Sequence, residues 1–299
     1  MNTTSTVRTV GIVGAGTMGR RIAYACVACG VRAQVYDVSG TALNDAVTTV
    51  RQYLAEISQP TTIDLDQAIT LLSPCKDILT CAANADWLIE TVPEDLELKR
   101  QVLQSISTAV GPDTFIASNT SSLPGSWLAN SLDRPERFIN MNFGTPSHPK
   151  VEVMGHSGTS PETIDAATCL LRQLNLIPIV ALREIQGYPT NRIWRAIKKE
   201  SLHLIADGYM TADNIDRAWM LDWHVSVGPC GIMDQVGLDV VRDIENVYYA
   251  TSGDPSDKPP RFLEEMVERG ELGVKSGKGF YEYPSPVFEQ EGWLTATDE

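Results

Sequence analysis

Positive charge is scarce in this chain of 299 residues. Lysine and arginine together number 24, against 38 aspartate and glutamate residues, and the formal net charge is −14. Such a chain repels phosphate backbones and anionic lipid surfaces unless its cations are concentrated in a patch, and no basic patch is visible. We therefore expect no nucleic acid as a partner.

Long hydrophobic runs and a regular cysteine framework are also lacking. No apolar stretch approaches the roughly 20 residues that span a bilayer, and the start of the chain, MNTTSTVRTV, lacks the apolar core of a secretion signal. The six cysteines are scattered through apolar segments, so reduced thiols are expected. Cys26 and Cys29 have redox or metal spacing, but a predicted helix contains both and no second pair accompanies them. We expect no metal, no membrane partner and a cytoplasmic location.

Strand and helix patterns alternate over the first part of the chain. The strand VRTVGIVGAG, the helical TMGRRIAYACVACG and the strand RAQVYD follow one another as a β-α-β unit. Residues 39–84 are mostly helical in pattern, and apolar strands recur at DWLIETV, TFIASN, RFINMNF, KVEVMG and LIPIVAL. Beyond them only helices are predicted. The pattern indicates a Rossmann-type doubly wound α/β sheet over residues 1–185 and an all-helical C-terminal domain over residues 186–299.

A glycine fingerprint follows the first strand. Gly14, Gly16 and Gly19 form a GxGxxG between a predicted strand and a predicted helix, the context that makes this pattern informative. Gly14 permits the tight turn, Gly16 lets the backbone approach a pyrophosphate, and Gly19 allows close helix packing. Thr17 and Met18 open the helix, whose free N–H groups and positive dipole end favour phosphate. A bound dinucleotide is predicted.

Asp37 ends the second predicted strand, 18 residues after Gly19 (37 minus 19). An acidic side chain at this point accepts hydrogen bonds from the adenosine ribose hydroxyls. A 2′-phosphate would meet its negative charge, and no arginine occurs in the next three residues, VSG. NAD is therefore favoured over NADP. The alternative is a glycine-rich turn with a chance aspartate.

With five further motifs in order, these residues resemble the 3-hydroxyacyl-CoA dehydrogenases, which are NAD-dependent enzymes with a Rossmann domain and a helical dimerisation domain. The motifs are ADWLIETVPEDLELK (85–99), ASNTSSL (117–123), GYPTNR (187–192), GPCGIMDQVGLDVV (228–241) and GVKSGKGFYEY (273–283). The resemblance covers nearly the whole chain. It implies an oxidoreductase that transfers a hydride between NAD and a small-molecule substrate, and a homodimer formed through the C-terminal domain.

The resemblance also implies which residues lie along the cofactor. They are Glu94, Lys99, Asn119 and Lys275. For Lys275 the alternative is a solvated lysine in a turn.

Around the reacting carbon the resemblance implies Ser121, Glu152 and Asn191. Ser121 is expected to face the substrate, and Glu152 to be the carboxylate that orients the catalytic base. Asn191 is expected beside the reacting carbon, with a helix N-cap as its alternative. Alcohol oxidation requires a general base for the hydroxyl proton, usually a histidine held by a carboxylate.

The catalytic histidine of the family is missing. Its position, 21 residues after the matched serine, is Asn142 here (121 plus 21). An amide cannot accept a proton near neutral pH, although it can donate a hydrogen bond that polarises a carbonyl. The segment between Asn142 and Glu152 is also two residues shorter than in the family. His148 within it is the first candidate for a substitute base, and an exposed loop histidine is its alternative.

The stretch from Gln52 to Cys75 departs from the family as well. In the family it carries lysine and serine side chains that hold the CoA phosphates, whereas here it contains no lysine or arginine and includes Asp64 and Asp66. Polyanionic CoA would gain little from it. We therefore expect a small 3-hydroxy or keto acid or acyl substrate that does not rely on the usual CoA contacts.

Two other functions stay open at this point. One is an NAD-binding enzyme of altered chemistry, and the other is a catalytically silent NAD-binding protein. The retained Glu152 argues against silence, because a buried carboxylate without a partner is costly.

Overall fold

The structure, a computed structural model, describes residues 6–56, 63–144 and 148–295. The chain divides into two compact units, Met1–Pro189 and Thr190–Glu299. A sheet of eight strands forms the centre of the first unit. The described part of the second unit contains helices and no β-strand. The expected fold class is confirmed. None of the described helices is long and apolar enough to cross a membrane.

The sheet of the first unit has one antiparallel junction. Its strands are β1 (Thr9–Val13), β2 (Arg32–Tyr36), β3 (Leu72–Pro74), β4 (Trp87–Glu90), β5 (Phe115–Ser118), β6 (Phe138–Phe143), β7 (Lys150–Met154) and β8 (Ile177–Ala181). Their spatial order is β3-β2-β1-β4-β5-β6-β7-β8, and neighbours are parallel except β6 and β7. The edge strand β3 interrupts a stretch that was expected to be mostly helical. Its pairing with β2 is a tertiary contact that the local pattern does not contain.

Helices cover both faces of this sheet. They are α1 (Thr17–Ala28), α2 (Gly40–Glu56), α3 (Leu65–Thr70), α4 (Ile78–Ala82), α5 (Leu96–Ala109), α6 (Gly125–Ala129) and α7 (Pro161–Gln173). In β4, Trp87 and Ile89 join the apolar cluster of α1 and α7, whereas Leu88 joins that of α4, α5 and α6. Because side chains alternate along a strand, a strand that is apolar throughout indicates a sheet buried on both faces.

The second unit contains α8 (Pro189–Ala206, which begins at the end of the first unit), α9 (Ala212–Trp223), α10 (Pro229–Val236), α11 (Leu238–Ser252) and α12 (Arg261–Glu268). Leu202, Met220, Met233 and Leu263 belong to its apolar core. Asp216 crosses this core to accept hydrogen bonds from two backbone N–H groups at the start of α10, at 2.7 and 2.8 Å. The unit therefore has a core of its own.

Candidate active site

The three glycines of the fingerprint meet different surroundings. Gly14 has φ +112°, and a Cβ there would lie 2.6 Å from Oγ1 of Thr91. A Cβ on Gly19 would clash with the carbonyl oxygen of Gly14, whereas one on Gly16 would meet no atom within 4 Å. The first and third glycines are thus required by the packing of the turn, and the second borders open space, as the approach of a pyrophosphate requires.

The N-terminus of α1 lies directly after this turn. Gly16 is its N-cap, no side chain caps it, and the first turn, with Thr17 and Met18, contains no acidic residue. The first N–H groups of a helix have no partner inside the helix, and they carry the positive end of its dipole. The residues present therefore fit the diphosphate of NAD.

Asp37 follows β2 beside the same turn. Its Oδ2 accepts a hydrogen bond of 2.7 Å from the N–H of Ala15, and its Oδ1 accepts one of 2.8 Å from the N–H of Ser39. A carboxylate has about four acceptor positions, so capacity for ribose hydroxyls is left. The ribose contact stays a prediction.

Glu94 holds the turn that contains Ser121. Its Oε1 accepts from Oγ1 of Thr120 at 2.5 Å, from Oγ of Ser122 at 2.8 Å and from the N–H of Ser121 at 3.0 Å. Burial raises the pKa of the Glu94 carboxyl, but these hydrogen bonds and the charge of Lys99 outweigh burial and lower it overall. The ionised carboxylate therefore orients a turn on which the Ser121 side chain is exposed.

Lys99 is bonded to acceptors of the protein itself. Its side chain is fully buried, and its ammonium donates to Oε1 of Glu90 at 2.8 Å, to the carbonyl of Val92 at 3.1 Å and to that of Asn119 at 3.0 Å. Three acceptors use the three donors of a lysine. Its implied place along the cofactor stays a prediction. The observed bonds show that Lys99 holds the ends of β4 and β5 together.

Asn119 links β5 to β6. Its Oδ1 accepts a hydrogen bond of 3.1 Å from the N–H of Phe143, and its own N–H donates to the carbonyl of Glu90 at 2.7 Å. Its predicted contact with the cofactor is not tested by these bonds, but they fix the backbone at the carboxyl edge of the sheet. Ligands of open α/β sheets bind at this edge.

Asn142 and Glu152 are directly opposite each other in the antiparallel pair of β6 and β7. Nδ2 of Asn142 donates to Oε2 of Glu152 at 3.2 Å, and Nζ of Lys150 lies 3.5 Å from the same oxygen. Glu152 is only 2% exposed. The structure thus brings together the predicted carboxylate and the amide that occupies the position of the expected base.

His148 lies just before β7, and residues 145–147 between it and Gly144 are outside the described part of the chain. Its side chain is exposed, and its carbonyl oxygen accepts a hydrogen bond from the guanidinium of Arg21. Its role as a substitute base stays a prediction.

Asn191 and Lys275 belong to the second unit. Asn191 is the third residue of α8, which begins at Pro189, so the alternative interpretation as an N-cap is wrong. Nζ of Lys275 lies 2.5 and 2.6 Å from the two carboxylate oxygens of Asp239. Lys275 is therefore ion-paired, and not merely solvated as the alternative supposed. The roles that the resemblance implies for both residues stay predictions.

Tyr188 is a candidate that the sequence analysis did not single out. It is fully buried, has φ +59°, and its hydroxyl has no hydrogen-bond partner in the part of the chain that the structure describes. Burial raises the pKa of this phenol, and the negative charges of Glu152, Glu94 and Glu184 raise it further. The hydroxyl is therefore a proton-bearing donor near Glu152. Its motif, GYPTNR, was visible in the sequence, but the unpaired hydroxyl was not.

Over residues 6–56, 63–144 and 148–295, no three histidine, cysteine, aspartate or glutamate side chains are grouped to hold a metal ion. Cys26 is buried within α1, and burial raises the pKa of its thiol.

Two family models match this chain. The model of the 3-hydroxyacyl-CoA dehydrogenase NAD binding domain covers residues 9–185, and that of the C-terminal domain covers residues 187–283. The chain belongs to the 3-hydroxyacyl-CoA dehydrogenase family. The resemblance seen in its motifs is confirmed. So are NAD as the cofactor and the assignment as an NAD-dependent oxidoreductase of hydroxy acyl substrates.

Similar members of the family have different names. The probable 3-hydroxybutyryl-CoA dehydrogenase of Bacillus subtilis is 30% identical over 282 residues, which cover 93% of this chain and 98% of that protein. The 5-formyl-3-hydroxy-2-methylpyridine 4-carboxylate 5-dehydrogenase of Mesorhizobium japonicum is 29% identical over 283 residues, which cover 93% and 91%. The crystal structure of (S)-3-hydroxybutyryl-CoA dehydrogenase from Ralstonia eutropha matches with a TM-score of 0.84 at 33% identity, over 94% of this chain and all of that one. Family membership alone therefore does not decide between a CoA thioester and a free acid.

Proposed function

We propose that this member of the 3-hydroxyacyl-CoA dehydrogenase family transfers a hydride between NAD and a small hydroxy or keto acid. The observation that carries the proposal is the hydrogen bond of 3.2 Å from Asn142 to Glu152. The carboxylate that holds the base in the family is kept, and an amide occupies the position of the base. In this proposal Asn142 and Glu152 still orient and polarise the substrate, and a group other than residue 142 transfers the proton.

Asn142 supplies the polarisation. Its Nδ2 has two hydrogens, and Glu152 takes one of them. The second can donate to the substrate oxygen, where negative charge grows as the carbonyl is reduced. Because Glu152 is buried and paired across the strands, the amide is held in one orientation. NAD supplies the hydride acceptor in oxidation, or the donor in reduction.

The proton requires a second group. In oxidation it leaves the substrate hydroxyl, and the exposed ring of His148, on the connection into β7, is the acceptor that we propose. Tyr188 supplies a further donor to the substrate oxygen. Its hydroxyl is buried, protonated and unpaired within the described residues, so a ligand oxygen would complete its hydrogen bonding.

A free acid is favoured over a CoA thioester by charge. The stretch from Gln52 to Cys75 contains no lysine or arginine. Asp64 and Asp66 in it are exposed around the start of α3, where Asp64 is the N-cap. A relative of similar length is named for a pyridine carboxylate, which is not a thioester.

Turnover with matched substrates tests this proposal. We expect kcat/KM for NAD reduction to be at least about 10-fold higher with a free 3-hydroxy acid, such as 3-hydroxybutyrate, than with the corresponding CoA thioester. One hydrogen bond to a charged group contributes about 1.5 kcal/mol or more, and such a difference corresponds to a factor of about ten. A preference for the thioester would overturn the substrate class. NAD binding without turnover of any hydroxy acid would favour the silent NAD-binding protein.

The proton acceptor has a test of its own. His148→Ala should lower kcat about 100-fold, the usual contribution of a general base, with NAD affinity unchanged. Full activity of the variant would show that His148 is an exposed loop residue and not the proton acceptor.

We also propose that the chain forms a two-fold dimer through its second unit. Val240, Ile244 and Val247 follow one face of α11 and are 41%, 39% and 66% exposed. An exposed apolar stripe of this kind is typical of an interface. Sedimentation equilibrium should give twice the chain mass, and a monomer at micromolar concentration would contradict the dimer.

A cytoplasmic location stays a prediction.

A further inference from the structure

Arg21 is a buried arginine whose donors are largely unused. It lies in the second turn of α1 and is 1% exposed. Its Nη2 donates to the carbonyl oxygen of His148, and its Cζ lies 6.0 Å from the centre of the Phe143 ring. Its Nε and Nη1 have no hydrogen-bond partner among the residues that the structure describes. Nε carries one N–H and Nη1 two, so these two atoms offer three donors.

Among the described residues, no carboxylate is found to act on the charge of Arg21. Burial lowers the pKa of its guanidinium to about 10, so it is a cation at neutral pH. The titratable neighbour that acts on it within the described chain is Tyr24. Burial raises the pKa of Tyr24, which is therefore a neutral phenol. A buried charge without a counter-charge is strongly destabilising, so an anion is expected beside this group in the working protein.

The direction of the side chain shows where that anion would bind. Long side chains in a helix tend to lean towards its N-terminus, and α1 begins without a side-chain cap. Two positive features, the helix N-terminus and the guanidinium, thus face the carboxyl edge of the sheet. The contacts with Phe143 and His148 place the guanidinium beside β6 and β7, the strands that carry Asn142 and Glu152.

We propose that Arg21 binds an oxyanion of a reacting ligand at this edge, and that it selects substrates that carry a free carboxylate. The inference rests on the proposed function and deepens it, because it names the group by which the acid is recognised. A phosphate of the dinucleotide offers the same chemistry, and the experiment separates the two sources.

The test compares Arg21→Met with the wild-type protein. Methionine keeps much of the apolar volume and removes the charge and every donor. Arg21→Lys keeps the charge, and Arg269→Met, which removes an exposed arginine paired with Glu271 in the second unit, is the control. Three quantities are measured for each: the Kd of NADH, kcat/KM for 3-hydroxybutyrate, and kcat/KM for its uncharged methyl ester.

If the anion is the substrate carboxylate, Arg21→Met should lower kcat/KM for the acid by about 10- to 100-fold, leaving the ester and NADH affinity unchanged. Arg21→Lys should recover part of the loss. If the anion is a phosphate, NADH affinity should fall by a similar factor and acid and ester should lose activity equally. Unchanged values for NADH, acid and ester, together with an unchanged or higher Tm, would overturn the proposal and leave Arg21 a packing residue.

A readout without turnover separates this proposal from the proposed function. Acetoacetate is titrated calorimetrically into the complex of each variant with NAD⁺, where no hydride is available. Weaker binding to Arg21→Met than to the control would support anion recognition even if no hydroxy acid were oxidised. Equal binding to both, with equal NADH affinity, would overturn it even if hydroxy acids were oxidised.

Discussion

Nδ2 of Asn142 donates a hydrogen bond of 3.2 Å to Oε2 of Glu152, across directly paired positions of β6 and β7. A carboxylate that is 2% exposed needs donors, and the amide supplies one without a proton that can be transferred at neutral pH. The same pair of positions can hold an acid–base dyad or a fixed dipole, depending on a single side chain. Changing that side chain therefore tests what the site does.

Asn142→His should introduce a titrating group beside Glu152. An imidazole has an ordinary pKa of about 6.5, and the neighbouring carboxylate should raise it. Because only the neutral imidazole accepts a proton, kcat/KM for alcohol oxidation should rise with pH through that raised pKa in the variant. The wild-type profile should show no rise caused by residue 142, because the amide of Asn142 does not accept a proton near neutral pH. The pH profiles of both proteins provide the measurement.

Asn142→Ala is the matched variant without any donor. Loss of one hydrogen bond to a developing oxyanion should lower kcat by about 100-fold or more, with NAD affinity unchanged. An unchanged kcat would show that the amide does not contact the reacting oxygen.

Tyr188→Phe should separate structure from catalysis. The hydroxyl is buried without a partner in the described chain, so its removal should leave the Tm unchanged or raise it. If the hydroxyl donates to the substrate oxygen, kcat should nevertheless fall by about 10-fold or more. Thermal melts and single-turnover rates on the same preparations compare the two effects. Full activity of the variant would show that the Tyr188 hydroxyl does not contact the substrate oxygen and that Tyr188 contributes only to packing.

Lys99→Met should destabilise the first unit strongly. Glu90 and Lys99 are both fully buried, and their ion pair is 2.8 Å long. Removing one partner of such a pair costs roughly 3–5 kcal/mol, because the other charge is left uncompensated. Urea unfolding of the variant should show this loss in the free energy of unfolding. The double variant with Glu90→Leu should recover part of it, and a double variant as unstable as Lys99→Met alone would contradict the explanation.

The parts of this molecule that could be predicted from the sequence are those set by local rules. The turn at Gly14 and the strands β4 to β8 follow from backbone sterics and apolar patterning within a few residues. The burial of Lys99 could not be predicted, because it depends on Glu90 and on the meeting of two strand ends. Neither could the donors of Arg21 that have no partner among the described residues, since they depend on which groups the fold brings close to them.

Asp37→Ala should weaken NAD binding. The carboxylate accepts hydrogen bonds from the N–H of Ala15 and of Ser39, and we expect the ribose hydroxyls to use its other acceptor positions. Hydrogen bonds to a charged group contribute about 1.5–3 kcal/mol, so the Kd of NADH should rise about 10- to 100-fold. Calorimetric titration gives this value directly.

Asp45→Ala is the control, because Asp45 is an exposed carboxylate of α2 whose oxygen lies 3.6 Å from Arg20. Equal NADH affinity in the two variants would show that Asp37 does not contact the ribose. A larger loss of NADPH than of NADH affinity would contradict the preference for NAD, because removing the negative charge should favour the 2′-phosphate.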